Sequence, residues 1–545
     1  MFRFVCCLML LVASGSNALA DVKLHGLFTD HMVLQQKTVV PIWGKADPGE
    51  KINVLIQKDG ASLQQATATA GDDGKWMVKL NDLPAGGPYV ISITGKNTIK
   101  LEDVLVGEVW ICSGQSNMEW PVSQSKDAKE TAAQAANKNL RMFRHKKVTS
   151  GKPLEHVQMD RDWNQWRVAT PETVPGFSAV GYFFGAALQK ARNVPVGIIQ
   201  TAWGGTPAEA WTTTEFLEKT PELAHYSTNI KKQVEYFETN VDEIMKQHQE
   251  KVKQFQIKQK EYKEKLKEYE QAADTSKMEK PKAPTGPGRT PQHPDLSPNS
   301  PSRLYNAMIQ PLVPYAIKGA IWYQGESNAG RAYEYRTLFP AMIQSWRSAW
   351  NSEFPFLFVQ LAPFRKIVDQ PQESDWAELR EAQLLTSRKL AGTAQAVITD
   401  TTDAATDQTD IHPKNKAPVG QRLALAALQK VYGESVVGSG PVYEKYSVDG
   451  DKIKLSFSSI GTGLECKGEK LTGFTIAGVD KQFYNADARI EGDTVVVSSP
   501  AVKEPVAVRF GWCDYPVVNL FNKEGIPASP FRTDDWRGKT WPKEK

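Results

Sequence analysis

The sequence predicts an α/β protein in which a parallel sheet, covered by helices on both faces, lies between two β domains. Three observations support this fold class. Apolar and polar residues alternate up to about residue 104, near-continuous apolar runs alternate with helical segments from Leu105 onward, and the alternation returns after about Val442. Alternation is typical of strands with one buried face, whereas continuous apolar strands are typical of a sheet covered on both faces.

The bulk composition excludes several classes of protein. The chain has 545 residues, of which 41% are hydrophobic and 23% charged, as in a globular protein with several domains. The formal net charge of +4 is too small to indicate a nucleic-acid partner. Beyond the N-terminal segment no stretch is apolar enough to cross a membrane, so we expect a protein that is not membrane-spanning.

Residues 1–20 are predicted to be a signal peptide that is cleaved after about Ala20. A short basic start precedes an apolar run at 4–12 and the small-residue pattern Ala18-Leu19-Ala20. The apolar run is shorter than the ~20 residues that a membrane-spanning helix needs. We therefore expect an exported protein, located in the periplasm or secreted.

Three cysteines remain after that cleavage: Cys112, Cys466 and Cys513. An oxidising compartment permits a disulfide, and Cys466 and Cys513 are the pair expected to share a domain. Two separate buried thiols are an equally good interpretation of the same two residues.

Residues 21–104 predict an N-terminal β-sandwich-like domain, and residues 437–545 predict a C-terminal β domain. Both regions contain short alternating segments between turn residues. The clearest of these segments lie at 39–43, 52–56, 89–93, 452–457, 494–497 and 506–510.

Residues 105–436, between these two regions, are predicted to form the catalytic domain. Five short apolar runs lie at 105–111, 194–199, 317–323, 354–361 and 394–399. Helical stretches, such as 178–192 and 417–432, separate them. In such α/β units ligands bind beyond the carboxyl ends of the strands, so the loops after the five runs are the place to look for chemistry.

An insertion at 215–302 interrupts this domain. Residues 230–272 show a rough heptad of apolar residues, which predicts a long helix, and a proline-rich extended linker follows to about residue 301. The helix could pair with a second copy of the chain, but we expect an arm or lid that lies on the body of the protein.

Two of the strand-end loops carry the sequence Gly-x-Ser-Asn, namely Gly114-Gln115-Ser116-Asn117 and Gly325-Glu326-Ser327-Asn328. A hydroxyl at the mouth of a parallel sheet, beside free backbone N–H groups, suits a nucleophile with an oxyanion hole. A helix-capping serine has the same pattern. The pattern alone does not rank Ser116 above Ser327.

Among the eight histidines, His412 has the context that a catalytic base requires. It follows the last predicted strand in a loop with Asp403, Asp407 and Asp410, just before the helix begun by Pro413. A carboxylate beside a histidine holds its tautomer and stabilises the imidazolium. A third loop, Trp203-Gly204-Gly205-Thr206, is glycine-rich, so its backbone N–H groups can approach an oxyanion; a simple tight turn is an equal alternative.

Four motifs then occur in order: Gly114-Gln115-Ser116-Asn117-Met118, Trp203-Gly204-Gly205-Thr206, Trp322-Tyr323-Gln324-Gly325-Glu326-Ser327-Asn328 and Asp410-Ile411-His412-Pro413. With them the chain resembles the sialate O-acetylesterase-like branch of the SGNH hydrolases, most clearly over residues 100–435. The resemblance implies a three-layer α/β/α domain with a five-stranded parallel sheet. It also implies a serine esterase that removes acetyl groups from carbohydrates without a metal or cofactor.

The resemblance assigns roles to individual residues. Ser116 matches the family's nucleophile and His412 its base. The oxyanion hole is expected to use the backbone N–H groups of Ser116 and Gly205, with Gly204 as the near alternative, and the side-chain amide of Gln324. The expected substrate-binding residues are Trp203, Tyr323, Glu326 and Asn328.

The chain departs from the wider SGNH pattern at two positions. Glutamine stands where the pattern has an asparagine donor, and Asn328 or Asn117 are alternatives for that role. The pattern places the triad aspartate three residues before the histidine, where this chain has Thr409. Asp410 is therefore expected to complete the triad, with Asp407 in reserve, or with a backbone carbonyl in place of any acid.

Aromatic residues lie close to these loops in the sequence and are candidates for a sugar-facing rim: Trp120, Trp203, Trp211, Trp322 and Tyr323. Core packing is the alternative for each of them. A glycosidase that uses Glu326 and an aspartate from 403–410 as its carboxylate pair is a second hypothesis. A non-catalytic carbohydrate-binding protein on a hydrolase scaffold is a third.

Overall fold

The computed structural model describes residues 21–272, 279–406 and 408–543. The predicted signal peptide at 1–20 and the reserve aspartate Asp407 lie outside the described residues, so both remain predictions.

The N-terminal region forms two facing sheets, in the orders β1-β3-β6 and β5-β4-β7-β8. Its strands are β1 (Lys23–Leu24), β2 (Val33–Gln35), β3 (Val40–Lys45), β4 (Lys51–Lys58), β5 (Ala61–Thr69), β6 (Lys75–Leu80), β7 (Gly86–Thr94) and β8 (Thr98–Gly114). The 17-residue strand β8 starts in this region and runs on into the central sheet. The predicted boundary near residue 104 therefore lies within one continuous strand.

The central sheet has the order β10-β9-β11-β8-β12-β13-β14. Its further strands are β9 (Asn137–Arg144), β10 (Arg167–Ala169), β11 (Val196–Ala202), β12 (Gly319–Tyr323), β13 (Phe356–Val359) and β14 (Thr393–Ala396). All neighbours from β9 to β14 in this order are parallel, and β10 is antiparallel to β9. The five predicted runs all contribute, but the prediction of five parallel strands was wrong by one, because β9 was missed.

The helices of the described residues are α1 (Ser116–Glu119), α2 (Ala128–Ala133), α3 (Ala179–Arg192), α4 (Thr214–Lys219), α5 (Ala224–Gln271), α6 (Ala332–Trp350), α7 (Asp375–Lys389) and α8 (Ala417–Lys430). None of them is long and apolar enough to cross a membrane.

Alternate residues of β8 point into two separate cores. Val109 and Ile111 belong to a core that includes residues of α6, α7 and the N-terminal sheets. Trp110 and Cys112 belong to a second core that includes residues of α3 and α8. The central sheet is thus covered on both faces, which explains why its strands have no polar side in the sequence.

The insertion differs from its prediction in one respect. Helix α5 is 48 residues long, about 72 Å at 1.5 Å per residue, with a non-helical residue at Asn240. Its buried residues are Tyr226, Ser227 and Ile230, and no later residue of α5 is buried. The helix therefore extends away from the body, and the expectation of an arm lying on the body was wrong.

The C-terminal region forms sheets in the orders β15-β16-β21-β20, β17-β23 and β19-β18-β22-β24. Its strands are β15 (Val442–Asp449), β16 (Lys452–Ser458), β17 (Leu464–Cys466), β18 (Phe474–Ala477), β19 (Phe483–Asn485), β20 (Asp487–Glu491), β21 (Thr494–Ser498), β22 (Ala507–Phe510), β23 (Leu520–Asn522) and β24 (Phe531–Arg532). Among the described residues Cys112, Cys466 and Cys513 are free thiols, which decides against a disulfide between the last two.

Candidate active site

Ser116 stands at the carboxyl end of β8, the strand between β11 and β12. Gly114 ends the strand with a φ of +142°, and a Cβ atom there would lie 2.2 Å from the carbonyl oxygen of Tyr323. Glycine is therefore required for the close approach of the two strand ends. The next amide, Gln115 N–H, donates to that same carbonyl at 2.9 Å, and α1 begins at Ser116.

His412 reaches Ser116 from the loop between β14 and α8. Its Nε2 lies 2.8 Å from the Oγ of Ser116, which is hydrogen-bond distance. The imidazole also stacks on the indole of Trp120, with ring centroids 4.9 Å apart and planes 21° from parallel. These contacts bring together a hydroxyl and the base that can take its proton.

Asp410 lies beside His412 but does not hydrogen-bond to its ring. The Oδ1 of Asp410 accepts the backbone N–H of His412 at 2.9 Å, and it lies 3.8 Å from the imidazole Nδ1. That second distance is too long for a hydrogen bond. Asp410 therefore shapes the turn before the histidine and acts on the ring through its charge.

The surroundings of His412 favour its neutral form. Burial lowers the pKa of the imidazole, and the positive charge of Lys416 lowers it further, while the carboxylate of Asp410 raises it. The net shift is downward from the ordinary value of 6.5. A neutral imidazole at neutral pH is the state that a general base requires.

The glycine-rich loop after β11 lies against the turn of Ser116. The N–H of Gly204 donates to the Oε2 of Glu119 at 2.9 Å, so this donor is already occupied. Gly205 has a φ of +75°, and its N–H, like that of Ser116, has no acceptor within the described residues. The geometry thus favours Gly205 over Gly204 as an oxyanion donor.

Gln324 does not present its amide to this site. Its Nε2 donates to the side chain of Asn328 at 2.6 Å and to the carbonyl of Thr206 at 3.3 Å, and its Oε1 accepts from the hydroxyl of Tyr335 at 2.9 Å. The side chain is fully buried. Since both amide hydrogens are engaged, the expected donation to an oxyanion does not fit its position.

Two of the four expected substrate-binding residues are buried behind the loops. Tyr323 is 0% and Asn328 is 1% exposed. The Oε1 of Glu326 accepts from the side chain of Asn117 at 2.6 Å, and its Oε2 is closed to solvent. Trp203 and Glu326 are half-buried, whereas Trp211 and Trp322, from the expected rim, lie in the core. The buried positions of Tyr323, Asn328, Trp211 and Trp322 indicate that these side chains support the loops and do not contact a sugar.

The site opens into a cleft of about 820 Å³. Its walls include Ser116, Glu119, Trp120, Pro121, Gln124, Arg144, His145, Lys146, Lys147, Asp160 and His412. The basic run 144–147 follows the carboxyl end of β9, and it was missed because β9 was not predicted. The short apolar segment with Leu140, Met142 and Phe143 was the signal that could have revealed it.

The same geometry weighs against the glycosidase hypothesis. The carboxyl group of Glu326 is enclosed and hydrogen-bonded to Asn117, and burial raises its pKa. A glycosidase needs both carboxyl groups beside the scissile bond. Glu326 does not reach the cleft where such a bond would lie.

The family profile described as carbohydrate esterase, sialic acid-specific acetylesterase matches residues 106–280 and 294–429, which is more than half of the chain. The chain belongs to this family. It is therefore a carboxylic ester hydrolase, and the resemblance seen in the four motifs is confirmed.

Several relatives of this esterase bear related names. It is 29% identical over 455 residues to the human sialate O-acetylesterase, with 78% of this chain and 74% of that protein covered. It is 27% identical over 538 residues to the protein of the same name from Pongo abelii, with 92% and 90% covered. It is 37% identical to a novel carbohydrate acetylesterase from Xanthomonas citri, whose crystal structure superposes with a TM-score of 0.76, with 95% of this chain and 100% of that chain covered.

Proposed function

We propose that this esterase hydrolyses O-acetyl esters on carbohydrates through an acetyl-serine intermediate, with Ser116 as nucleophile and His412 as general base. The observation that carries the proposal is the 2.8 Å hydrogen bond between the two side chains at the floor of the cleft. The cleft lies at the carboxyl edge of the parallel sheet, where α/β enzymes bind their ligands.

In the first step the Nε2 of His412 takes the proton of Ser116 as the Oγ forms a bond to the ester carbonyl carbon. The negative charge that develops on the carbonyl oxygen is received by the N–H groups of Ser116 and Gly205. Loss of one such donor typically costs about 2.7–4 kcal/mol of barrier. The side-chain donor expected at Gln324 has no part in this proposal.

In the second step the tetrahedral intermediate collapses, and the C–O bond to the sugar breaks. The sugar oxygen leaves with the proton from the His412 imidazolium, and the acetyl group remains bound to Ser116 as an ester. His412 then takes a proton from water as the water oxygen attacks the acetyl carbonyl carbon. The bond from that carbon to the Oγ of Ser116 breaks, acetate leaves, and the His412 imidazolium returns the proton to the Oγ. The residues of this chain suffice for each proton transfer.

An O-acetylated carbohydrate as substrate is supported by the family and by the names of the relatives. The cleft adds support, because an indole and several polar side chains border Ser116, a combination suited to sugar rings. We further infer an SGNH-type catalytic domain and an exported enzyme, in keeping with the motifs and with the N-terminal sequence.

The test is acetate release from an aryl acetate and from a panel of O-acetylated sugars. The variants are Ser116→Ala, His412→Ala and the matched control Ser327→Ala, which removes the serine of the other Gly-x-Ser-Asn loop. We expect the first two to lose at least about 10³-fold in kcat, as for other serine hydrolases, and the third to stay within a few-fold of wild type.

Two results would count against the proposal. Loss of activity in Ser327→Ala with retention in Ser116→Ala would move the nucleophile to the other loop. A folded wild-type protein that releases acetate from none of the esters would contradict the substrate class.

A further inference from the structure

A lysine lies buried directly behind the active site. Lys416 is 1% exposed and immediately precedes α8, four residues after His412. Its Nζ donates to the Oδ1 of Asn117, the neighbour of Ser116. By contrast Lys414, two residues earlier, is exposed to solvent. The proposed chemistry gives Lys416 no role, although a buried ammonium group is costly to the fold.

The amide of Asn117 connects this lysine to two further loops. Its Nδ2 donates to the Oε1 of Glu326 at 2.6 Å and to the backbone carbonyl of Ile411 at 2.9 Å. One side chain therefore joins the turn that carries Ser116, the loop after β12 and the loop that carries His412. Each of these three contacts crosses between segments more than 200 residues apart in the sequence.

The groups that stabilise the positive charge of Lys416 do not form a direct ion pair with its Nζ. Within the described residues it has no carboxylate within ion-pair distance. The ammonium group lies 5.3 Å from the ring centre of Tyr323 and 5.9 Å from that of Trp120, and Glu326 faces it across Asn117. Since neither solvent nor a salt bridge holds the side chain there, its position depends on the loops that meet at Asn117.

We propose that Lys416 is a positioning residue of the esterase, which through Asn117 holds the turn of Ser116 and the loop of His412 in one fixed relation. This inference rests on the proposed roles of Ser116 and His412. The need for it follows from the geometry of Asp410, whose carboxylate bonds the backbone of His412 and not the imidazole. Another residue must therefore hold His412 in place relative to Ser116.

The charge of Lys416 also acts on the base. It lowers the pKa of His412, whereas Asp410 raises it. Burial brings the pKa of Lys416 itself to about 7, with Glu326 and Asp410 acting in the opposite direction. The ring of Tyr323, a further titratable group, also lies beside the ammonium. Removal of the charge should therefore raise the pKa of His412 and move the acidic limb of the pH profile to higher pH.

The experiment compares Lys416→Met, Asn117→Ala and the double variant with wild type, and uses Lys414→Met as the matched control. For an aryl acetate we expect kcat to fall about 10- to 100-fold in each single variant, with KM within about two-fold, because a small misplacement of reacting groups has effects of this size. The double variant should lose no more than the worse single one, since both break the same chain of contacts.

The pH profile of kcat/KM distinguishes positioning from a merely structural role. Lys416→Met should shift the acidic limb to higher pH, and Lys416→Arg, which keeps the charge, should leave the limb in place and recover part of kcat. If Lys416→Met does not fold, the loss of kcat in Asn117→Ala still tests the positioning role, and full activity of that variant would overturn it.

If Ser116→Ala is inactive, three results would each overturn the inference. They are full activity of Lys416→Met, additive losses of kcat in the double variant, and an acidic limb of kcat/KM that does not move in Lys416→Met. An active Ser116→Ala variant would instead overturn the proposed function, and the inference with it.

Discussion

The two Gly-x-Ser-Asn loops have nearly the same sequence and different surroundings. Ser116 lies half-buried at the cleft, within hydrogen-bond distance of His412. Ser327 lies on the turn after β12, and its backbone N–H donates to the Oε1 of Gln115 at 3.4 Å. The second loop thus supports the first, although a sequence pattern alone treats them as equal candidates.

The asparagines of the two loops also differ in their surroundings. Asn117 joins Lys416, Glu326 and the histidine loop. Asn328 joins Gln324 to the loop after β11, since its Oδ1 accepts the N–H of Ala208 at 2.9 Å. Both amides connect separate loops, but only the first does so beside a reactive side chain. The comparison teaches that the partner across the sheet edge, and not the tetrapeptide, decides which serine lies within hydrogen-bond distance of a histidine.

The glycines should respond differently to substitution. An alanine at Gly114 would place its Cβ 2.2 Å from the backbone oxygen of Tyr323, whereas one at Gly325 would meet the Cδ2 of Leu379 at 2.4 Å. A leucine side chain can move, but a strand backbone cannot. We expect Gly114→Ala to lower the free energy of unfolding by about 3 kcal/mol or more, and Gly325→Ala by clearly less. Urea unfolding measures the free energy of unfolding of both variants. Equal losses would contradict the expected difference between the two glycines.

Asn328→Ala should destabilise the protein by about 2–3 kcal/mol, since it leaves buried hydrogen-bonding partners unsatisfied. These include the N–H of Ala208 and the carboxylate of Glu209, which accepts from Asn328 at 2.9 Å. Urea unfolding measures the loss, and kcat per folded molecule should change less than in Asn117→Ala. A stable but inactive Asn328→Ala variant would contradict a supporting role for the second loop.

Glu119→Gln should lower kcat roughly tenfold, because a hydrogen bond to a carboxylate is about twice as strong as one to a neutral amide. Glu119 accepts the N–H of Gly204 and so holds the oxyanion loop against Ser116. Its other oxygen forms an ion pair with Lys147, so Lys147→Met is the control. Steady-state kinetics that show the same loss in both variants would assign the effect to the ion pair.

Asp410→Asn should have the smallest effect on kcat, well below the ~10⁴-fold loss seen where the triad aspartate bonds the imidazole. The amide oxygen can still accept the backbone N–H of His412. Because the carboxylate of Asp410 raises the pKa of His412, its neutralisation should move the acidic limb of kcat/KM to lower pH. This shift is opposite to that expected for Lys416→Met, and a pH profile of both variants tests the two signs together.

Much of the site could be predicted because it depends on local patterns. Ser116 and His412 each follow a recognisable strand, and Gly205 stands in a glycine-rich turn. The structure brings Ser116 and His412 to hydrogen-bond distance and places Gly204 of that turn against Ser116. Glu119 and Lys416 were missed because nothing in their neighbourhood distinguishes them from other charged residues of a helical region. Gln324 was expected at the oxyanion hole because its position matches a motif, but motif position does not show that Asn328 and Thr206 already engage its amide.

The sequence by itself determined the type and order of five of the six parallel strands and of the two flanking β regions, since apolar periodicity records which faces each segment buries. It also placed the reactive residues at the ends of strands. Only the tertiary structure decided that β8 lies between β11 and β12, and that the loop after β14 crosses three strand positions, about 14 Å, to bring His412 to Ser116. The physical reason is that strand order and loop path depend on contacts between residues 296 positions apart, which no local pattern records.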